Sequence, residues 1–127
     1  MKNTALPAAI VLAALSLPAL AIPAQGEASY RNDVLPIIHD YCLNCHKPGG
    51  KGYEKSGLDL RSYKSLMKGT WFGTVIKPGD SFTSVIIQVV EGRVHPSIKM
   101  PYGMSGGLSK DKIDLIKKWV QQGAKNN

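Results

Sequence analysis

Two cysteines and a histidine stand together in the run Cys42-Leu43-Asn44-Cys45-His46. Each thiol in such a run can add to one vinyl group of a haem, and two intervening residues bring both sulfur atoms along one haem edge. The adjacent histidine can then present its imidazole to the iron from one side of the ring. We expect one haem c, bound covalently through Cys42 and Cys45, with His46 as an axial iron ligand.

Three other uses of these residues fit less well. A thioredoxin-like redox pair needs a βαβ setting, and no strand pattern precedes Cys42. A structural zinc site needs four ligands, and even with His39 added the second half of a zinc module is missing. A disulfide would be ordinary in an oxidising compartment, but it leaves His46 without a role. The sequence therefore favours haem attachment.

The second axial ligand must come from a distant segment, on the other side of the haem ring. Met100 precedes Pro101 in the glycine- and proline-rich loop 93–108, and a residue before proline is held away from helical geometry. A restrained backbone would then present a flexible thioether, which favours Met100. Met104 lies beside glycines, and His95 also precedes a proline, so both stay open as alternatives. Two further candidates are set aside: Met67 is read as a core residue, and His39 as a surface histidine.

The beginning of the chain has the layout of a secretory signal peptide. Lys2 gives a positive start, residues 6–20 are almost wholly apolar, and Ala19 and Ala21 supply the small residues read by signal peptidase. The apolar run is shorter than the ~20 residues of a membrane span, and it contains two prolines. We expect cleavage after Ala21, a periplasmic protein, and no stable membrane insertion after cleavage.

The remainder divides into a flexible lead-in, residues 22–29, and one domain, residues 30–127. Apolar residues recur with helical period, and none alternates with period two over a useful length. The sequence predicts an all-α domain of helices and long loops wrapped around one haem. Asp33 is expected to cap a first helix that runs into Cys42, and residues 47–57 to form a loop.

Three later helices are predicted from caps and apolar stripes. The first covers residues 62–68 and stops at Gly69. The second is capped by Asp80 or Ser81, ends at Gly92, and has an apolar stripe made of Phe82, Val85, Ile86, Val89 and Val90. The third is capped by Ser109 and closed by Gly123, and its apolar face consists of Ile113, Ile116, Trp119 and Val120.

The chain carries a net charge of +7. An exported protein rarely meets nucleic acid, so no nucleic-acid role is expected. An acidic redox partner or an anionic membrane surface fits the charge better. Four lysines lie in the two loops expected to flank the haem, and we expect them to dock the acidic surface of a donor or acceptor protein: Lys47, Lys51, Lys55 and Lys99.

The chain resembles class I cytochromes c and is most similar to bacterial planctomycete-type cytochrome c domain proteins. The likeness runs from Val34 to Ala124. It rests on residues 34–38, the haem run, and four further motifs: Gly57-Leu58-Asp59-Leu60, Lys77-Pro78-Gly79-Asp80, Lys99-Met100-Pro101 and residues 119–124. The resemblance implies an all-α fold around one haem, with His46 and Met100 as ligands.

One difference from the class I pattern concerns the crossing of the first and last helices. Many members place a small residue and an aromatic at the positions that hold Val34 and Ile38 here. We therefore expect a differently packed crossing, with Trp119 filling the contact.

The expected function follows from the iron ligands. An iron bound by His46 and Met100 has no vacant site for substrate, so we expect an electron carrier between redox partners and no enzyme activity. If Met100 does not bind, the open position could serve gas sensing or peroxidase-like chemistry, for which His95 alone offers a distal acid/base group. A third reading is the electron-transfer subunit of a larger dehydrogenase or oxidase.

Overall fold

The structure is a computed structural model and describes residues 1–4 and 26–127. Apart from residues 1–4, the expected signal peptide lies outside the described residues. The helices, in chain order, are a π-helical turn at Tyr30–Val34 that continues into α1 (Leu35–Tyr41), then α2 (Lys51–Ser56), α3 (Tyr63–Lys68), α4 (Val85–Glu91), a 3-10 turn at Pro96–Ile98, and α5 (Lys110–Gln121). The described ranges contain no β-strand, and the predicted all-α class is confirmed. None of their helices is long and apolar enough to cross a membrane.

The first helix begins four residues earlier than expected. Ser29 is the N-cap, and its hydroxyl accepts a hydrogen bond from the Asn32 N–H at 3.1 Å. Asp33 accepts a hydrogen bond from the Ser29 N–H at 2.7 Å. The prediction that Asp33 caps the helix is therefore wrong. Asp33 instead lies inside the first turn, where its carboxylate and the serine hydroxyl each satisfy a free backbone donor.

Helix α2 was not expected, because residues 47–57 carry glycines and no apolar period. Within this segment Lys51–Ser56 is α-helical and has no fully buried residue. Gly57 ends the helix with a φ of 72°, and its N–H donates to the Tyr53 carbonyl at 2.7 Å. The prediction of a loop throughout 47–57 is wrong for this short helix.

Helix α3 agrees with the prediction. Ser62 and Ser65 form a reciprocal capping box, and Gly69 ends the helix. Helix α4 ends at Gly92 as expected, but its N-cap is Ser84. Asp80 accepts a hydrogen bond from the Thr83 N–H at 3.0 Å and so caps the preceding turn, which corrects the expected start of α4.

The predicted apolar stripe of α4 is also partly wrong. Phe82 and Val85 are 72% and 43% exposed, whereas Ile87 is fully buried beside Val90. Because the helix starts at Val85 and not at Asp80, Phe82 lies outside it. The buried Ser84 fixes this start, since its hydroxyl donates to the Asp80 carbonyl at 2.7 Å and accepts from the Lys77 N–H at 2.9 Å.

The first and last helices pack together in the core. Val34 and Ile38 are buried against a set that includes Ile116, Trp119 and Val120 of α5. The Tyr30 ring lies 5.4 Å from the Trp119 ring, between ring centres. The expectation that Trp119 fills this contact is therefore confirmed.

The two ends of the described segment 26–127 are joined. The Ala28 N–H donates to the Gln122 side chain at 2.8 Å, and the Tyr30 N–H donates to the Asn127 side-chain oxygen at 2.8 Å. Ala28 is buried, so the packed domain includes part of the expected lead-in.

Candidate haem site

The attachment run begins where α1 ends. The N–H groups of Cys42 and Leu43 both donate to the Ile38 carbonyl at 2.9 Å. The N–H groups of Cys45 and His46 then donate to the Cys42 carbonyl, at 3.2 and 3.1 Å. One tight turn anchored on α1 therefore positions both thiols and the imidazole.

Both cysteines are free thiols: Cys42 is partly buried and Cys45 is exposed. Burial, with a smaller contribution from the neighbouring Cys45, raises the pKa of Cys42 to about 11. A thioredoxin-like redox pair needs a thiol whose pKa is lowered, so this environment does not suit that alternative.

His46 is buried, at 9% exposure, and its Nδ1 atom has no hydrogen-bond partner among the described residues. Burial lowers the pKa of the His46 imidazole, and a smaller contribution from the Leu58 backbone raises it. A neutral imidazole keeps a lone pair free for a metal. The buried, uncharged His46 therefore fits the role of a haem iron ligand.

Helix α2 covers this imidazole. A Cβ atom at Gly52 would lie 2.7 Å from the His46 Cε1 atom and 2.9 Å from each ring nitrogen. The helix reaches this position because the Tyr53 N–H donates to the Cys45 carbonyl at 2.9 Å. A further bond, from the Leu60 N–H to the His46 carbonyl at 2.8 Å, holds the segment from the other side. No sequence motif predicts this role for Gly52, although its place in a glycine-rich segment directly after the run is a signal of close approach.

The candidates for the second axial position are differently placed. Met100 is partly buried against the core, and its N–H donates to the Val89 carbonyl of α4 at 2.9 Å. The Met100–Pro101 peptide bond is cis. Met104 is 42% exposed, and the exposed His95 directs its Nδ1 atom to the Ser97 hydroxyl at 2.8 Å. In loop 93–108, Met100 is therefore the best-anchored candidate.

Residues 42–101 match the model of the family described as Planctomycete cytochrome C. This segment is therefore similar to a planctomycete-type cytochrome c domain. The match starts at Cys42 and extends through Met100 and Pro101, so it covers the attachment run and the favoured second ligand. No curated protein and no solved structure matches the chain. Cytochrome c domains of this kind imply haem c and, in general, electron transfer without catalysis.

The surface of the matched segment carries the lysines singled out from the sequence. Lys47, Lys51, Lys55 and Lys99 are all exposed. Within residues 26–127, none of them forms a salt bridge. Ile98 and Tyr102, on either side of Met100, are 51% and 75% exposed. The lysines thus stay available for charge contacts, and Lys99 directly follows the exposed Ile98.

Proposed function

We propose that this protein is a periplasmic electron carrier with one covalently attached haem c, ligated by His46 and Met100. The observation that carries the proposal is the buried, neutral His46, which directly follows two free thiols and packs beneath Gly52. The family match over residues 42–101 supports the cytochrome c assignment.

The residues of the chain have separate tasks in this proposal. The sulfur atoms of Cys42 and Cys45 hold the group covalently, and His46 offers a lone pair from a ring that α2 keeps in place. The thioether of Met100 is a soft donor that favours ferrous iron and raises the potential, which suits a carrier. The bound haem supplies the one-electron chemistry. With His46 and Met100 both bound to the iron, the group would have no open site for substrate.

The exposed lysines support an acidic redox partner. Contacts between redox partners are small and transient, and complementary charge mainly raises the rate of encounter. Lys47, Lys51 and Lys55 lie close to the attachment run in the chain, and Lys99 is adjacent to Met100. Positive charge around both ligand segments would steer an acidic donor or acceptor towards the haem.

Two measurements on protein exported by a host with cytochrome c maturation test the proposal. The intact mass should equal the chain from Ile22 plus one haem. A mass that matches the apo chain with a Cys42–Cys45 disulfide would contradict it. The absorption spectrum should be low-spin with a weak near-infrared sulfur-to-iron band. A high-spin spectrum without that band would reject the second ligand and the carrier role.

A further inference from the structure

Two large aromatic side chains project from a tight turn that follows α3. The turn Thr70–Gly73 is closed by hydrogen bonds from the Thr70 N–H to the Gly73 carbonyl at 2.8 Å and back at 3.3 Å. Trp71 and Phe72 occupy its tip, with 66% and 84% of their surface exposed. Two adjacent exposed aromatics are costly to keep in water and commonly mark a contact surface. We call Thr70–Gly73 the aromatic tip.

The aromatic tip is held in place. The Trp71 N–H donates to the Ser56 carbonyl at 3.0 Å, and the Trp71 indole lies directly against Gly57. The Tyr53 ring meets it edge-on, 6.4 Å away between ring centres. The Phe72 N–H donates to the Thr70 hydroxyl at 3.0 Å. A turn that is already ordered loses little further conformational freedom when it binds.

The part of the chain that contains the aromatic tip is rich in positive charge. Residues 47–77 contain seven Lys or Arg and two Asp or Glu, a net charge of +5 within a chain of +7. One of the two acids, Asp59, is paired with Arg61 at 2.8 Å. Lys68 lines the same small cleft as Trp71, together with the Arg61-paired Asp59, and Lys55 directly precedes Ser56, which holds the Trp71 backbone. The tip therefore combines exposed aromatic area with an adjacent lysine, in a basic part of the chain.

We propose that the aromatic tip docks the exported protein reversibly on an anionic membrane surface. Trp71 and Phe72 form a protrusion, which suits insertion between lipid headgroups, where aromatic rings are favoured. Lysines near an anionic surface each add attraction, and peripheral attachment is firm only when an apolar and an electrostatic signal act together. The tip supplies both. This inference does not depend on the iron ligands of the proposed carrier.

Vesicle sedimentation tests the proposal. The exported protein, without its apolar leader, is mixed at low salt with vesicles of phosphatidylcholine alone or with added phosphatidylglycerol, and the bound fraction is measured on gels. We expect binding to the anionic vesicles only. Phe72→Ser should weaken binding about tenfold, and Lys68→Gln about fivefold. The matched control is Phe82→Ser, since Phe82 is 72% exposed, stacks against Arg93 and is not part of the aromatic tip.

Several results would overturn the proposal. One is the absence of sedimentation with anionic vesicles. Another is an equal loss of binding for Phe72→Ser and Phe82→Ser, which would show that the tip has no special role. Circular dichroism of each variant separates lost folding from lost binding. If Phe72→Ser binds vesicles normally but slows electron transfer to a soluble acidic redox protein, the tip contacts a protein and the membrane assignment is wrong.

Discussion

Replacing Gly52 with alanine adds a single methyl group against the His46 imidazole. The added Cβ atom would lie 2.7 Å from the ring Cε1 atom, whereas ordinary contact begins near 3.4 Å. Either the ring or α2 must therefore move by about 0.7 Å, the difference between these two distances. Because His46 is buried and the Leu60 N–H and α2 hold its segment, the ring has little free space.

Two effects of this substitution oppose each other. Alanine in place of glycine inside a helix stabilises the folded protein by about 1 kcal/mol. Overpacking a filled site costs about 1–3 kcal/mol. We expect the overpacking to win, with a net loss of about 1 kcal/mol and a thermal midpoint lower by about 4–8 °C for a domain of this size. The displaced imidazole should also shift part of the holoprotein from low spin to high spin.

Thermal unfolding and absorption spectra of the holoprotein measure both consequences. Glu54→Ala is the matched control, because Glu54 is an exposed residue of the same helix and has no contact role at His46. A Gly52→Ala protein that gains about 1 kcal/mol of stability and keeps its spectrum would refute the reasoning. That result would mean that helix propensity alone acts at this position and that α2 does not press on the ring.

Three other predictions concern the second ligand, the docking surface and an ion pair between α4 and α5. Met100→Ala should lower the midpoint potential and let cyanide bind the iron, whereas Met104→Ala should keep the near-infrared band; the reverse pattern would reassign the ligand. Electron-transfer rates with an acidic partner should fall with added salt, because charges are screened within ~10 Å at 0.1 M; a constant rate would remove the basic docking face. Lys117, and to a smaller extent Arg93, lower the pKa of Glu91 below its ordinary 4.5. The stability that ionised Glu91 gives the fold is therefore present above pH 4.5 and is lost as the pH falls through the lower folded pKa. Glu91→Gln should cost about 0.5–1 kcal/mol at pH 7 in denaturant unfolding and reduce the loss of stability below pH 4.5; an unchanged pH profile would show that this ion pair between α4 and α5 contributes nothing.

The sequence predicts those parts of the fold in which local signals agree. Helix α3 has both a capping serine and a terminal glycine, and α5 has one wide apolar face, so both were predicted correctly. Helix α4 was placed too early because Asp80 and Ser81 are good caps by residue type. The buried Ser84 hydroxyl, which bonds to both Lys77 and Asp80, selects the later start. Which of several nearby polar residues becomes the N-cap depends on which of them the tertiary structure buries. The spacing of apolar residues in the sequence does not carry that information.

Part of the candidate site is likewise predictable from the sequence, and part is not. The attachment run is readable because its chemistry depends on residue types at fixed spacing. The packing of α2 over His46 is not readable from the sequence, because Gly52 matters there only by having no side chain. A glycine inside a helix costs about 1 kcal/mol relative to alanine, so its presence in α2 needs a compensating reason. The close approach of the imidazole supplies that reason: only a residue without a Cβ atom lets α2 follow the attachment run this closely. A glycine in a short helix directly after such a run therefore predicts the surface on which the histidine of the run rests.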